Sequence, residues 1–561
     1  KINKQILGME RRHGEMRLLI PSAKIVPEEL HHLGKLPAII YPINQKIVFD
    51  YLYDQYKDVC SAIDIACYEK MDKVARRLDK YIKSKTVNII QLKELGDLGR
   101  TIYDSLIGCD EPVIINFADT IINDNIYSLE CDSFFYAEDY YSNTWTFFEE
   151  KDGDIISVLD KNELKEDDGK KHKLFSGVFQ IMDAQYFREC LRKALMSNVV
   201  NVNSFYQALQ EYSKRYEFLS IKTNNWFDIG HADKYYNSKL EVKAREFNHI
   251  SIDKDRSILR KISEDVEKFI GEIKWYLKLP AQVEYVRPRI FEYSTSYINP
   301  YVSMEYYSYH TVHELFLYSD LTKKQWIDIF NRIRFVCSDF KRYSVSGDNI
   351  QKSLKDMYLD KTFQRFNKLR KDPRFTEFFS SDIQINGVRY KSLDQIEALL
   401  SVSVPRELFD ITQFNIIHGD LCFANIMVDN TFSFIKVIDP RGKFGDFDIY
   451  GDYRYELAKL FHSVDGKYDF IIKDLFTIKY DPKKAIIDYI VQDRKRDYDL
   501  YEVFYSVFKD EIGSDLKKIE LIEALLFLSM IPLHGESLNH QMAMLATGLE
   551  ILGRVVPDIY C

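Results

Sequence analysis

Residues 414–464 read FNIIHGDLCFANIMVDNTFSFIKVIDPRGKFGDFDIYGDYRYELAKLFHSV, and this stretch decides the fold of the second half of the chain. Residues 415–417 form a short apolar strand running into His418-Gly419-Asp420, with Asn425 five positions after Asp420. A second apolar run, 435–438, ends at Asp439. Phosphoryl transfer needs a carboxylate to take or orient the proton of an acceptor hydroxyl. It also needs oxygen ligands that hold Mg²⁺ against nucleotide phosphates. An Asp-x₄-Asn loop followed by an Asp at a strand end provides one carboxylate and two such ligands. Gly419 permits a tight turn beside them, and His418 can hold the loop through hydrogen bonds. A chance arrangement of acids around an ordinary turn competes with this reading. The loop, the strand and the Ile-Asp-Pro together outweigh it.

Working outward, the chain has 561 residues, which allows between about three and four domain-sized units. The 77 basic and 86 acidic side chains leave a formal charge of −9, too mild for a general nucleic-acid surface or an acidic tail. With 46% apolar and 29% charged residues, wholesale disorder is excluded. The apolar stretch 524–533 contains Ser529 and Pro532 and is far too short to span a membrane. The first residues carry no apolar signal core, and the eight cysteines form no CxxC pair. A cytoplasmic protein with reduced thiols is therefore expected, and the oligomeric state stays open. His534 and His540, six apart, do not share a helical face and read as ordinary helix histidines.

Up to about residue 240, short apolar runs (16–21, 112–116, 175–181) alternate with amphipathic pieces (47–56, 70–83), an α/β pattern with buried strands. The polar segment 239–245 is the expected junction. Beyond it, a hairpin at 247–262, a helix over 263–279 ending at Pro280, and strands near 283–292 and 301–307 suggest a small β-rich lobe. After about 310 the pattern is mostly helical apart from the block at 414–439.

HGDLCFANIM, VIDPRG and YELAKLFHS resemble the signature of the aminoglycoside phosphotransferase and choline kinase family, a branch of the protein-kinase-like fold. The resemblance implies an α+β two-lobed domain, with a small lobe at 241–310 and a helical large lobe at 311–561. It implies Asp420 as catalytic base, His418 as loop support, and Asn425 and Asp439 as Mg²⁺ ligands for ATP. HGD and IDP in place of HRD and DFG favour a small-molecule acceptor. A strand Lys held by a helix Glu is also required. Lys261 and Glu272 are the natural choices, with Arg260 and Glu267 as rivals. Met304, Glu305 and Tyr306 resemble the hinge that meets the base. No glycine-rich phosphate cover precedes Lys261.

Three fragments in the first 240 residues resemble nucleotide-sugar pyrophosphorylases, nucleotidyltransferases with a Rossmann-like α/β domain. MRLLIPSA stands in the place of the first strand and phosphate loop, putting Ser22 and Ala23 at the nucleotide. VIINFADT and NWFDIG would supply two metal-binding carboxylates, Asp119 and Asp228. The departures are the loop 21–27, which lacks the family's glycines and Arg, and Ala38 where a phosphate-binding Lys is usual. Lys35 and Lys24 are possible substitutes.

Joined, the two resemblances imply a bifunctional enzyme. The C-terminal half phosphorylates a small alcohol (choline-like, polyol or sugar) with ATP·Mg²⁺. The N-terminal half joins the product to a nucleotide, with CTP the expected donor. Fusions of this kind resemble enzymes that make activated precursors for surface polysaccharides. The alternative is a small-molecule kinase carrying a catalytically silent nucleotide-binding or scaffolding domain.

Overall fold

Leu18, Leu19 and Ile20 are buried at the centre of a nine-stranded mixed sheet, because their strand, Arg17–Ser22, is covered on both faces. This strand pairs in parallel with Ala62–Cys67 on one side and Val113–Asn116 on the other. Ala62–Cys67 in turn pairs in parallel with Val87–Gln91. His172–Ile181 adds antiparallel to Val113–Asn116 and carries the remaining, mostly antiparallel strands. The computed structural model describes residues 16–84, 86–124, 130–161, 168–197, 201–232, 234–239, 250–253, 255–493 and 496–561. The chain divides into two compact units, Lys1–Lys243 and Ala244–Cys561, each described by itself. Most of the junction segment 239–245 and the start of the 247–262 hairpin lie outside the described residues.

In the first unit, the strand Val113–Asn116 leads into a turn closed by Thr120 N–H on Phe117 O. The fully buried Asn116 fixes that turn, donating from Nδ2 to Phe117 O at 2.8 Å and Thr120 O at 3.0 Å. Tyr56 Oη donates to Asn116 Oδ1 at 2.9 Å. Thr120–Ile122 then pairs antiparallel with Trp226–Asp228. That register, Thr120 opposite Asp228, brings Asp119 beside Asp228. The amphipathic segment 70–83 is not one helix but two short ones, Met71–Arg77 and Asp79–Ile82, broken at the buried Leu78.

The second unit begins with a four-stranded antiparallel sheet in the order Ile250–Asp253, Ile258–Ile262, Tyr301–Glu305, Ile290–Ser294. Between the second and the last in sequence runs the helix Val266–Lys278. The strand expected near 283–292 is only Ile290–Ser294. Residues Ala281–Val286 form a 3₁₀ turn, since Val283 and Val286, three apart, both bury on its inner side. The large lobe is built around the helix Tyr453–Val464, every residue of which is buried. Leu516–Met530 packs beside it, and Leu538–Val555 packs in turn against Leu516–Met530. The large lobe is less purely helical than its sequence suggests. Ile383–Ile385, Val388–Tyr390, Phe476–Asp481 and Ile486–Val491 make a four-stranded sheet of their own. Among the described residues no helix is long and apolar enough to cross a membrane.

Candidate active sites

Lys261 lies on the strand Ile258–Ile262 and Glu272 on the buried face of the helix Val266–Lys278. Lys261 Nζ donates to Glu272 Oε1 at 2.9 Å and Oε2 at 3.0 Å, and to Asp439 Oδ1 at 2.7 Å. Burial opposes charge on Lys261, but Asp439 and Glu272 more than restore it, so its pKa is raised. Glu272 is pushed up, first by burial and then by Asp439. The rivals are placed elsewhere: the Arg260 guanidinium stacks on Tyr301, and Glu267 sits in the first turn of the helix.

The HGD loop is held from three sides. Glu456, fully buried, accepts the backbone N–H groups of His418 at 2.7 Å and Gly419 at 3.0 Å. Trp275 Nε1 donates to Ile417 O at 2.7 Å. His418 donates from Nε2 to Ile438 O at 2.9 Å, which leaves Nδ1 to accept Asp420 N–H at 3.3 Å. Burial pushes the His418 pKa down to about 4, so the ring is neutral at pH 7 and this tautomer persists. Gly419, with φ of +76°, leaves no room for a side chain: a Cβ there would meet Arg441 Cβ at 2.9 Å.

Asp420 opens to the cleft, its side chain 41% exposed, and pairs with Lys459 Nζ at 2.9 Å. Burial favours its neutral form, but the Lys459 ammonium holds it well below the usual carboxylate range. Asn425 Nδ2 donates to Asp420 O at 2.9 Å and Oδ2 at 3.2 Å. That leaves Asn425 Oδ1 with no donor among the described residues. Asn425 Oδ1 and the Asp439 carboxylate are hard oxygen donors of the kind Mg²⁺ takes, so the residues fit that ion. Asp439 stands at φ +57°, its N–H donating to Tyr276 Oη at 3.0 Å.

The helix Val266–Lys278 and the loop after Asp439 meet through two glycines. A Cβ on Gly442 would lie 2.2 Å from Gly271 C, so the backbone after Asp439 touches the helix that carries Glu272. One continuous cleft is lined by Lys261, Glu272, Asp420, Asn425, Asp439 and Lys459. The expected hinge does not line it. Met304 is buried, Glu305 N–H is committed to Arg289 O and Tyr306 N–H to Ser257 O, both at 2.8 Å, because this strand is paired on both sides. Two residues at this site were not assigned from sequence, Glu456 and Lys459. Both lie in the Tyr-Glu-Leu-Ala-Lys stretch, whose burial on every face was the missing signal. His534 and His540, read as unrelated, have ring centroids 6.3 Å apart, since the helix begins only at Leu538 and His534 sits in the preceding turn. With Glu536 they bring ligand atoms within 4.8 Å of one another.

In the first unit, Asp228 is 8% exposed and its oxygens are met by Gly230 N–H, Trp145 Nε1 and His231 Nδ1, each at 2.8 Å. Asp119 is pushed up, by burial first and then by Asp228. A Cβ on Gly230 would come within 2.5 Å of Asp119 Oδ2, so the glycine keeps that carboxylate open. Ser22 is buried, its Oγ without a partner among the described residues, and Ala23 follows it at the end of the central strand. The loop beyond is clamped by Glu69, whose carboxylate accepts Ile25 N–H at 2.9 Å and whose N–H donates to Ala23 O at 3.0 Å. Lys24 and Lys35 are exposed.

No family model and no curated protein matches this sequence. Solved structures are similar to its N-terminal part. The CTP:phosphocholine cytidylyltransferase of Streptococcus pneumoniae is 16% identical, with 41% of this chain and 99% of that one covered at a TM-score of 0.34. The inositol-1-phosphate CTP transferase of T. maritima is 14% identical over 41% and 98%, at 0.31. A putative glucose-1-phosphate thymidylyltransferase of Bacillus anthracis is 13% identical over 42% and 96%, at 0.33.

Proposed function

We propose that the second unit transfers the γ-phosphoryl group of ATP to the hydroxyl of a small alcohol, and that the first unit then transfers a nucleotidyl group, from CTP, to the phosphorylated product. The observation that carries the first half is the convergence on one cleft of Lys261–Glu272–Asp439 with Asp420–Lys459–Asn425. In the proposed step the alcohol oxygen bonds to the γ-phosphorus and its proton passes to Asp420. The bond from that phosphorus to the β–γ bridging oxygen breaks, and ADP leaves with the electron pair. Lys261 neutralises the α- and β-phosphates, Glu272 fixes Lys261, and Lys459 keeps Asp420 ionised and ready as a base. Asn425 and Asp439 would hold Mg²⁺, which supplies charge neutralisation at the phosphates when bound.

For the first unit, the pairing of Asp119 with Asp228 at a strand edge supports a metal–nucleotide site. Asp228 already accepting from three donors, and Glu69 occupying the Ile25 N–H, favour a second reading in which this unit binds without turnover. The test is an ADP and pyrophosphate release assay with ATP, CTP, Mg²⁺ and a panel of alcohols. Alcohol-dependent ADP release that Asp420→Asn abolishes is expected. Pyrophosphate release that depends on the phosphorylated product and disappears in Asp119→Asn separates an active first unit from a silent one.

A further inference from the structure

Beyond Asp420, the cleft continues between the helix Lys361–Leu369, the loop after Asp439 and the helices Tyr453–Val464 and Leu516–Met530. Three cations line this end: Lys361 and Arg365, one turn apart, and Arg441. None of them forms an ion pair with a carboxylate among the described residues. Of the other acids in the cleft, Asp439 pairs with Lys261 and Asp446 with Lys352, both at 2.7 Å, and Asp448 with Lys278, while Asp265 and Glu267 stand at the start of the helix Val266–Lys278. Asp420, the acid at this end, is already matched by Lys459. The imbalance is therefore local, and it is positive.

The neighbouring groups respond to that imbalance. Burial, together with Arg441, Lys459 and Arg365, lowers the Lys361 pKa to about 8. The Tyr455 hydroxyl accepts from Arg441 Nη1 at 3.1 Å. Although burial opposes it, Lys361, Arg441 and Lys459 pull that hydroxyl below its ordinary value. His462 also lines this end, 1% exposed, and neither ring nitrogen has a hydrogen-bond partner among the described residues. A half-buried cluster of like charges beside a buried, unpartnered imidazole is costly to maintain unless a ligand of opposite charge completes it.

From the unpaired Lys361, Arg365 and Arg441 lining the cleft beyond Asp420, we infer that the phosphoryl acceptor is an anionic alcohol, a hydroxyl compound bearing a carboxylate or phosphate. This rests on the kinase reading of the same cleft. The negative group lies against the three cations, and the hydroxyl is directed at Asp420. A cationic amino alcohol is disfavoured here by charge, since such ligands need carboxylates or aromatic faces without neighbouring ammonium groups.

The test compares four probe alcohols, D-glycerate, sn-glycerol 3-phosphate, glycerol and choline, by ATP-dependent ADP release on the full chain. One or both anionic probes should exceed glycerol and choline in kcat/KM, and which of the two does so separates carboxylate from phosphate. Lys361→Gln and Arg365→Gln should each raise KM for the preferred probe about tenfold while leaving KM for ATP within about twofold. Equal or faster turnover of glycerol or choline, abolished by Asp420→Asn, overturns the anionic acceptor and leaves the kinase standing. A rise in KM for ATP in place of the acceptor overturns it too, assigning these cations to the nucleotide. ADP release unchanged in Asp420→Asn overturns the kinase reading itself. If none of the four is turned over, calorimetry with the anionic probes in the presence of ADP·Mg²⁺ decides. Binding weakened about tenfold in the two variants supports the proposal, and no binding to the wild-type chain overturns it.

Discussion

Asp228 and Asp420 are both acids at the mouth of a strand, and their surroundings treat them in opposite ways. Asp228 is gripped by a backbone N–H, an indole and an imidazole, all at 2.8 Å, in a nearly closed setting. Asp420 faces an open cleft, with one ammonium and one amide as partners. The same contrast separates their companions: Asp119 is pushed up by burial and by Asp228, whereas Asp439 is bridged through Lys261 to Glu272. Long, flexible Lys side chains can follow an incoming phosphate, while short fixed donors hold a carboxylate where it is. Asp420 is therefore the more open of the two acids and Asp228 the more tightly fixed.

The largest effect that could break this contrast is at Asp420. Asp420→Asn should lower ADP formation by about 10²–10⁴-fold with little change in melting temperature, read by a coupled assay and a thermal melt. If Asp228→Asn proves equally damaging to ADP formation, the two sites are not functionally separate. Next, Lys261→Met leaves Glu272, 7% exposed, without its cation and should cost about 3–5 kcal/mol in denaturant unfolding. Glu272→Gln in the same background should recover part of that loss.

A smaller, sharper effect comes from the two glycines. Gly442→Ala has both a positive φ and a 2.2 Å clash, and should destabilise by about 1–3 kcal/mol or more. Gly271→Ala meets its nearest atom only at 3.3 Å and should be far milder. Equal losses would show that the helix Val266–Lys278 and the loop after Asp439 do not pack as described.

The pH response of His418 is the finest probe. Its folded pKa, about 4, lies below the unfolded value of about 6.5. Between those values the unfolded chain binds the extra proton, so this histidine's contribution is complete above pH 6.5 and is lost as pH falls toward 4. The loss amounts to about 3 kcal/mol. Glu456, raised to about 7 chiefly by burial, slopes the other way between about 4.5 and 7. Comparing wild type with His418→Asn isolates the first effect. The variant should lose less stability than wild type between pH 6.5 and 4, and parallel curves would contradict the buried, neutral ring.

Sequence carried the parts of this account that are local. Asp420, Asn425 and Asp439 fall within twenty positions of one another, and the helix that presents Glu272 announces itself by its apolar spacing. Glu456 reaches its partners across 38 positions, and a buried Glu in an apolar helix gives no sign of which N–H groups it will meet. The large-lobe sheet was illegible for a similar reason, since Gln384 pairs with Ile486 across a hundred residues of mostly helical chain. One local sign of it was present. Asn386-Gly387, both at positive φ, is a hairpin turn signal between the short strands Ile383–Ile385 and Val388–Tyr390. The strand at 301–305 was legible, but its place inside the sheet was not, and an inner strand spends its N–H groups on both neighbours.

The most direct test of the central claim is ³¹P NMR of the full chain with ATP, Mg²⁺ and D-glycerate or sn-glycerol 3-phosphate. The account predicts a new phosphomonoester resonance growing in step with ADP, absent from the Asp420→Asn protein. ADP appearing with inorganic phosphate alone, or the same phosphomonoester formed at the wild-type rate by Asp420→Asn, would contradict it.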